Sequence, residues 1–152
     1  MTNRIQELTV NDVWRDEQDA WNNRSNYFVE MHNRDDRKAQ VTEFLSFLKD
    51  ENLLPPKDGC TLDIGCGVCD YALGLAREGH KATGIDLSDG MIRGAKQLAE
   101  SEGLDLSLYI APWSDETRRE LSWDKSFDLA YSIFCPIMFD VENIRAMHEA
   151  SH

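Results

Sequence analysis

The chain has 152 residues, 41% hydrophobic and 29% charged, with a formal net charge of −12; that is enough for one core and an ordinary composition for a soluble globular protein. Acidity of this size repels phosphates and so argues against a broad nucleic-acid surface, though not against a local basic patch. No apolar run reaches roughly 18 residues and no basic-then-apolar amino terminus occurs, so we expect no membrane span, no signal peptide and a cytoplasmic location.

Residues 1–34 are polar yet carry Trp14, Trp21, Tyr27, Phe28 and Met31. Val10, Val13, Trp14 and Trp21 recur at helix-compatible spacings, which predicts one or two short helices. So many aromatics need something to bury against, which argues against disorder. Two roles fit this stretch: a cover packed on the core, or a lid whose aromatics reach a ligand. Residues 35–52 predict a longer helix, with Val41, Phe44, Leu45 and Leu48 as its apolar stripe and Asp35 or Asp36 at its start. Pro55 and Pro56 stop it. We therefore divide the chain into a helical cover (1–57) and a second domain (58–152).

Leu62–Ile64 reads as a strand and Gly65, Cys66 and Gly67 as a tight turn. Asp70–Arg77 reads as a helix with Ala72, Leu73, Leu75 and Ala76 apolar, and Gly79 stands at its C-cap. Lys81–Ile85 is the next strand, closed by Asp86. Ser88 is the N-cap of a helix over 89–101, with Met91, Ile92, Ala95, Leu98 and Ala99 on one face and Gly103 at its end. A third strand is predicted over 104–110, a turn at Ala111, Pro112 and Trp113, and a short helix over 115–121. Phe127–Phe134 is an apolar fourth strand of the kind buried on both faces, broken by Cys135-Pro136. A helix over 141–150 follows. The βαβαβαβα alternation from residue 59 onward predicts a doubly wound α/β parallel sheet.

A strand, a glycine turn, a helix and an acid about 20 residues on is how such folds hold a nucleoside cofactor. Asp86 can take two ribose hydroxyls. The dinucleotide fingerprint needs a small third residue, and Asp70 stands there, placing a carboxylate where a pyrophosphate would sit. Asp63 is a second acid at the same turn. Acids around the turn suit a positively charged ligand. Of the four cysteines (Cys60, Cys66, Cys69, Cys135), Cys66 and Cys69 form a C-x-x-C with no second ligand pair, so reduced thiols are expected and no metal site.

Asp63–Gly67 (DIGCG), Gly84–Ser88 (GIDLS), Met91–Ala95 (MIRGA) and Phe127–Ser132 (FDLAYS) together resemble the class I S-adenosylmethionine-dependent methyltransferases. The resemblance runs from about Cys60 to Phe134, roughly half the chain. It implies a Rossmann-like fold and S-adenosyl-L-methionine as cofactor. Gly65, Cys66 and Gly67 would form the turn at the methionyl part, and Asp63 would lie near the ammonium. Asp86 would hold the ribose, Leu87 and Met91 would flank the adenine, and Trp113 would close over its edge. Ser132 to Cys135 would lie near the methyl group. The chain departs from the family in three ways. Cys69 replaces a usual third glycine. Ala111-Pro112-Trp113 replaces a turn that often carries an acid. The family's seven-stranded sheet, in order 3-2-1-4-5-7-6, is matched only as 3-2-1-4, so strands five to seven are absent. The long apolar fourth strand would then be an open edge, expected to belong to a fragment of a longer protein or to pair with a second copy. No catalytic residue declares itself; Tyr27, Tyr131, His32 and Cys135 stand only at suitable addresses, and Tyr27 and Cys135 are kept as candidates. The expected function is methyl transfer to a small-molecule acceptor. The alternatives are a cofactor-binding module without turnover and an NAD-type oxidoreductase.

Overall fold

Aliphatic runs bounded by glycine, with amphipathic stretches between them, bury both kinds of segment by laying helices on the faces of a parallel sheet. The computed structural model describes residues 3–8, 12–135 and 140–151 and has that architecture. The strands are β1 (Ile5–Glu7), β2 (Cys60–Ile64), β3 (Lys81–Asp86), β4 (Leu106–Ile110) and β5 (Leu129–Tyr131). Their order is β1-β4-β3-β2-β5, every neighbouring pair parallel. The helices are α1 (Arg15–Asn22), α2 (Ser25–His32), α3 (Asp35–Asp50), α4 (Asp70–Arg77), α5 (Asp89–Glu102), α6 (Asp115–Glu120) and α7 (Val141–Ser151).

The expected order 3-2-1-4 is present as β4-β3-β2-β5. An extra strand, β1, is added beside β4, where helices were expected. Ile5–Glu7 pair with Leu108–Ile110, and Asn3 fastens the start by donating from Nδ2 to Leu104 O (3.2 Å) and accepting from Leu106 N (2.7 Å). Three residues carry no period of their own; the open edge of β4 decides their conformation. The two short helices expected before residue 35 are α1 and α2. Val10 lies outside the described residues.

β5 is also shorter than Phe127–Phe134. Phe127 leaves the sheet line to pack on Trp123, with ring centroids 5.2 Å apart. At the other end Ser132 Oγ donates to Ile64 O (2.8 Å), and Phe134 turns outward at φ +59°, 86% exposed. The open edge is therefore three residues long rather than eight, and short edges are weaker templates for strand addition.

Alternation along β4 divides the core between two faces. Leu106, Leu108 and Ile110 pack with Leu73, Ile92 and Leu98 of α4 and α5. Tyr109 faces the other side, where Leu62, Ile64, Ile85, Trp113, Trp123 and Phe127 meet Ala146 and Ala150 of α7. A third cluster joins Val41 and Leu48 of α3 to Tyr71, Leu75 and Tyr131, with the Phe44 ring 5.2 Å from Tyr71 and 5.0 Å from Tyr131.

Candidate functional site

The turn between β2 and α4 exposes backbone at the carboxyl end of the sheet. Gly65 and Gly67 have φ of +66° and +55°, the left-handed region that a Cβ disfavours. A Cβ on Gly65 would run into Cys135, whose Cβ lies 2.6 Å from that point. Cys69, where the family has a third glycine, takes φ +63° itself. Its thiol and that of Cys66 lie over Gly84, at 2.5 and 2.9 Å from where a Cβ would stand. The thiol thus tolerates the glycine conformation and fills the space above β3.

Two acids, Asp63 buried and Asp86 half-buried, flank the turn at the ends of adjacent strands. Asp86 Oδ2 accepts from Gly67 N and its Oδ1 from Ser88 N, both at 2.8 Å. Each oxygen keeps a lone pair for a further donor. Burial pushes the Asp86 carboxyl up, and the two N–H groups offset part of that. Asp63 is 2% exposed, and its Oδ2 has no hydrogen-bond partner; neither does the hydroxyl of Tyr131, its register neighbour on β5. Burial pushes the Asp63 carboxyl well above the usual range, and the nearby Asp86 and Asp70 push it up further. An ionised carboxylate so placed is costly unless a cation joins it.

The remaining expected residues divide between the turn and the core. Cys66 lies in the turn, its thiol pushed well up by burial. Leu87 follows Asp86, and its carbonyl accepts from Gln18 Nε2 (3.0 Å). Met91 is buried beneath Gly67, with Sδ 4.0 Å from the position of a Cβ there. Ser132 is tied to Ile64, and Cys135 lies against Gly65. Trp113 is 3% exposed, stacks on Trp123 and donates its indole N–H to Asn143 O (3.1 Å). Its one polar group is spent on Asn143 O, so any contact it makes with the adenine is through the ring alone. Tyr27 is exposed on α2 against Phe28. Among the described residues no group of His, Cys, Asp or Glu is placed to hold a metal ion. A hollow of about 810 Å³ opens at the opposite end of the strands, beside His80, Ser107 and Phe127; it shares no residue with the turn.

Asp70 has a different task from the one its position suggested. Its Oδ1 meets His32 Nδ1 at 2.6 Å, and its Oδ2 accepts from Arg37 Nε at 2.6 Å. His32 Nε2 meets Glu102 Oε1 at 3.0 Å, and Arg77 also binds that glutamate. Both ring nitrogens of the buried His32 thus face carboxylates, an arrangement that favours the imidazolium. The Asp70 hydrogen bond leads in raising its pKa above the ordinary 6.5; burial opposes, and Glu102 adds to the rise. This network ties the cover helices α2 and α3 to α4 and α5. A raised folded pKa gives stability that is complete below 6.5 and lost as pH rises through the folded value. Urea midpoints should fall as pH rises above 6.5, and His32→Gln should flatten that fall. A variant that loses stability as steeply as the parent would contradict this tie.

Sequence reasoning missed Gln18 and Asn22 of α1, which grip the segment after Asp86. Polar residues on a helix of a polar stretch give no signal of a tertiary partner nearly seventy positions away.

A family profile described as "Methyltransferase domain" matches residues 61–152. The chain belongs to that family. S-adenosylmethionine, the cofactor to which the turn pointed, is the methyl donor of these enzymes. Over 74 residues the chain is 36% identical to a protein of Geobacillus sp. (strain WCH70) assigned by name to the methyltransferases, covering 49% of this chain and 28% of that one. Over 83 residues it is 32% identical to a 23S rRNA (uracil(1939)-C(5))-methyltransferase, RlmD, of Shewanella halifaxensis, covering 54% and 19%. The chain thus spans under a third of the length of these curated relatives. In fold it is similar to a solved structure from Methanococcus maripaludis, described as an S-adenosyl-L-methionine-dependent methyltransferase, with a TM-score of 0.64 at 17% identity over 85% of this chain and 58% of that one. Among the described residues no helix is long and apolar enough to cross a membrane.

Proposed function

We propose that the chain binds S-adenosylmethionine at the β2–α4 turn and directs methyl transfer to a small-molecule acceptor, in the cytoplasm. The observation that carries this reading is a pair of acids flanking a glycine turn, Asp86 held by Gly67 N and Asp63 buried with its Oδ2 unpaired. Those residues fit the cofactor: a cationic group completes Asp63, a vicinal diol suits Asp86, and Gly65 and Gly67 admit close approach.

When bound, the cofactor supplies a methyl group on a sulfonium, already activated for in-line displacement. Asp86 accepts from the ribose hydroxyls while Gly67 and Ser88 N–H groups hold its carboxylate still. Burial favours the protonated form of Asp63 when no ligand is present, and a neighbouring ammonium would favour its carboxylate. Gly65, Cys66 and Gly67 present backbone to the methionyl chain. Leu87 lines the adenine side; Met91 supports the turn from beneath. Ser132 and Cys135 frame the methyl end, where the acceptor must stand in line with the sulfur. Tyr27 and Cys135 are the groups kept as candidates for contact with the acceptor.

The net charge of −12 favours a small acceptor over a polynucleotide. The RNA substrate in a relative's name belongs to a much longer protein. Self-association of two copies would have to use the outer edge of β5, only three residues long; light scattering would reveal it as a dimer, and a monomer would contradict it. Calorimetry with S-adenosylhomocysteine, followed by labelled-methyl transfer to pooled small metabolites and to RNA, tests the whole reading. Binding with transfer to the small-molecule pool is expected. Binding without any transfer would make the chain a cofactor module, transfer to RNA alone would overturn the acceptor class, and binding of NAD instead would overturn the site.

A further inference from the structure

The cover helix α1 touches the site through a continuous chain of hydrogen bonds. Asn22 Oδ1 accepts from Ser88 Oγ (2.7 Å) and from Gly90 N (2.9 Å). Ser88 Oγ also accepts from Met91 N (3.1 Å), as the N-cap of α5. Ser88 N donates to Asp86 Oδ1, and Asp86 Oδ2 accepts from Gly67 N, each at 2.8 Å. One helix away from the turn, a single amide oxygen thus fixes Ser88, Ser88 fixes the Asp86 carboxylate, and the carboxylate fixes the glycine turn. Gly90 permits this approach: a Cβ there would stand 2.7 Å from Ser25 Oγ and 3.3 Å from Asn22 Cα. Gln18 adds a second hold on the same segment through Leu87 O.

The arrangement is more than a helix cap. An N-cap satisfies the first amides of its own helix, and Ser88 does so alone for Met91. Asn22 supplies the acceptor for Gly90 N and pins the Ser88 hydroxyl, both from outside α5. Ser88 Oγ then has its proton directed at Asn22 and its lone pair at Met91 N, which leaves the hydroxyl one orientation. The Ser88 backbone is held by both, so its N–H stays aimed at Asp86.

We infer that Asn22 is a positioning residue for the nucleoside site: through Ser88 it holds Asp86 ready for the ribose diol, so that docking of α1 and binding of the cofactor favour each other. The inference rests on the cofactor reading above. Its consequence is that the cover and the ligand are thermodynamically linked, each tightening the other.

Hydrogen exchange by NMR on the ligand-free chain, together with calorimetry using S-adenosylhomocysteine, tests it. In Asn22→Ala the amides of Gly67 and Ser88 should exchange about ten-fold faster, while those of Leu62 and Thr83 within the strands keep their rates, and affinity should fall about ten-fold. Asn22→Asp, which keeps an oxygen in the same place, should return both toward the parent values. Gln18→Ala should give a smaller change of the same kind. Unchanged exchange at Gly67 and Ser88 would overturn the inference, as would faster exchange with unchanged affinity. A parent chain that binds no S-adenosylhomocysteine, with Gly67 and Ser88 still responding to Asn22→Ala, would instead overturn the cofactor reading and, with it, the ligand side of this proposal.

Discussion

Asp86→Ala should weaken binding of S-adenosylhomocysteine by roughly a hundredfold, about 3 kcal/mol. Each hydrogen bond from a ribose hydroxyl to a carboxylate is worth about 1.5–3 kcal/mol net, and the substitution removes both proposed ones. It also leaves Gly67 N and Ser88 N without their acceptor, so the turn loses its anchor together with the ligand. Asp86→Asn separates the two effects: one oxygen remains to take an N–H, while the charge is gone. Its affinity should fall between that of the parent and that of the alanine variant. Calorimetry at constant temperature and salt reads all three. An alanine variant that binds as well as the parent would remove Asp86 from the site.

Gly65→Ala should destabilise the fold by about 3 kcal/mol and abolish measurable ligand binding. Two causes add. The backbone at φ +66° costs an L-residue about 1–2 kcal/mol, and the new methyl would overlap Cys135, which lies directly against the glycine. Cys135→Gly in the same chain should recover the overlap part and leave the backbone part. Urea midpoints of the single and double variants measure the difference. If the double variant is no more stable than Gly65→Ala alone, Cys135 does not press on the turn.

Most helix ends could be read from the sequence because each rests on local chemistry, whereas the order of the four expected strands came from the family resemblance. Asp70–Arg77 forms the predicted helix because its apolar residues recur at helical spacing, and Ser88 and Gly103 bound α5 as N-cap and left-handed terminus. The strand Phe127–Phe134 was overdrawn because apolar content alone cannot say which residues pair; Phe127 found Trp123, and Phe134 found solvent. β1 was missed because its pairing depends on a partner about a hundred residues away. Asp63, Gly65, Gly67 and Asp86 lie together around one turn because they sit on adjacent parallel strands, a placement the alternation of elements dictates. The packing of Trp113 on Trp123 was not legible, because an indole serves equally as ligand wall and as core.

By itself, the sequence determined a glycine turn between acids on a doubly wound sheet, and hence a site suited to a cationic nucleoside. Side-chain spacing and glycine's backbone freedom act within a few residues and leave a legible mark. Tertiary structure alone decided what the cover does. Asp70, read from its position as an obstacle to phosphate, became the partner of His32 and Arg37, and Asn22 became the acceptor that steadies Ser88 beside Asp86. Hydrogen bonds between distant segments depend on how the helices pack, and packing is settled by the whole core.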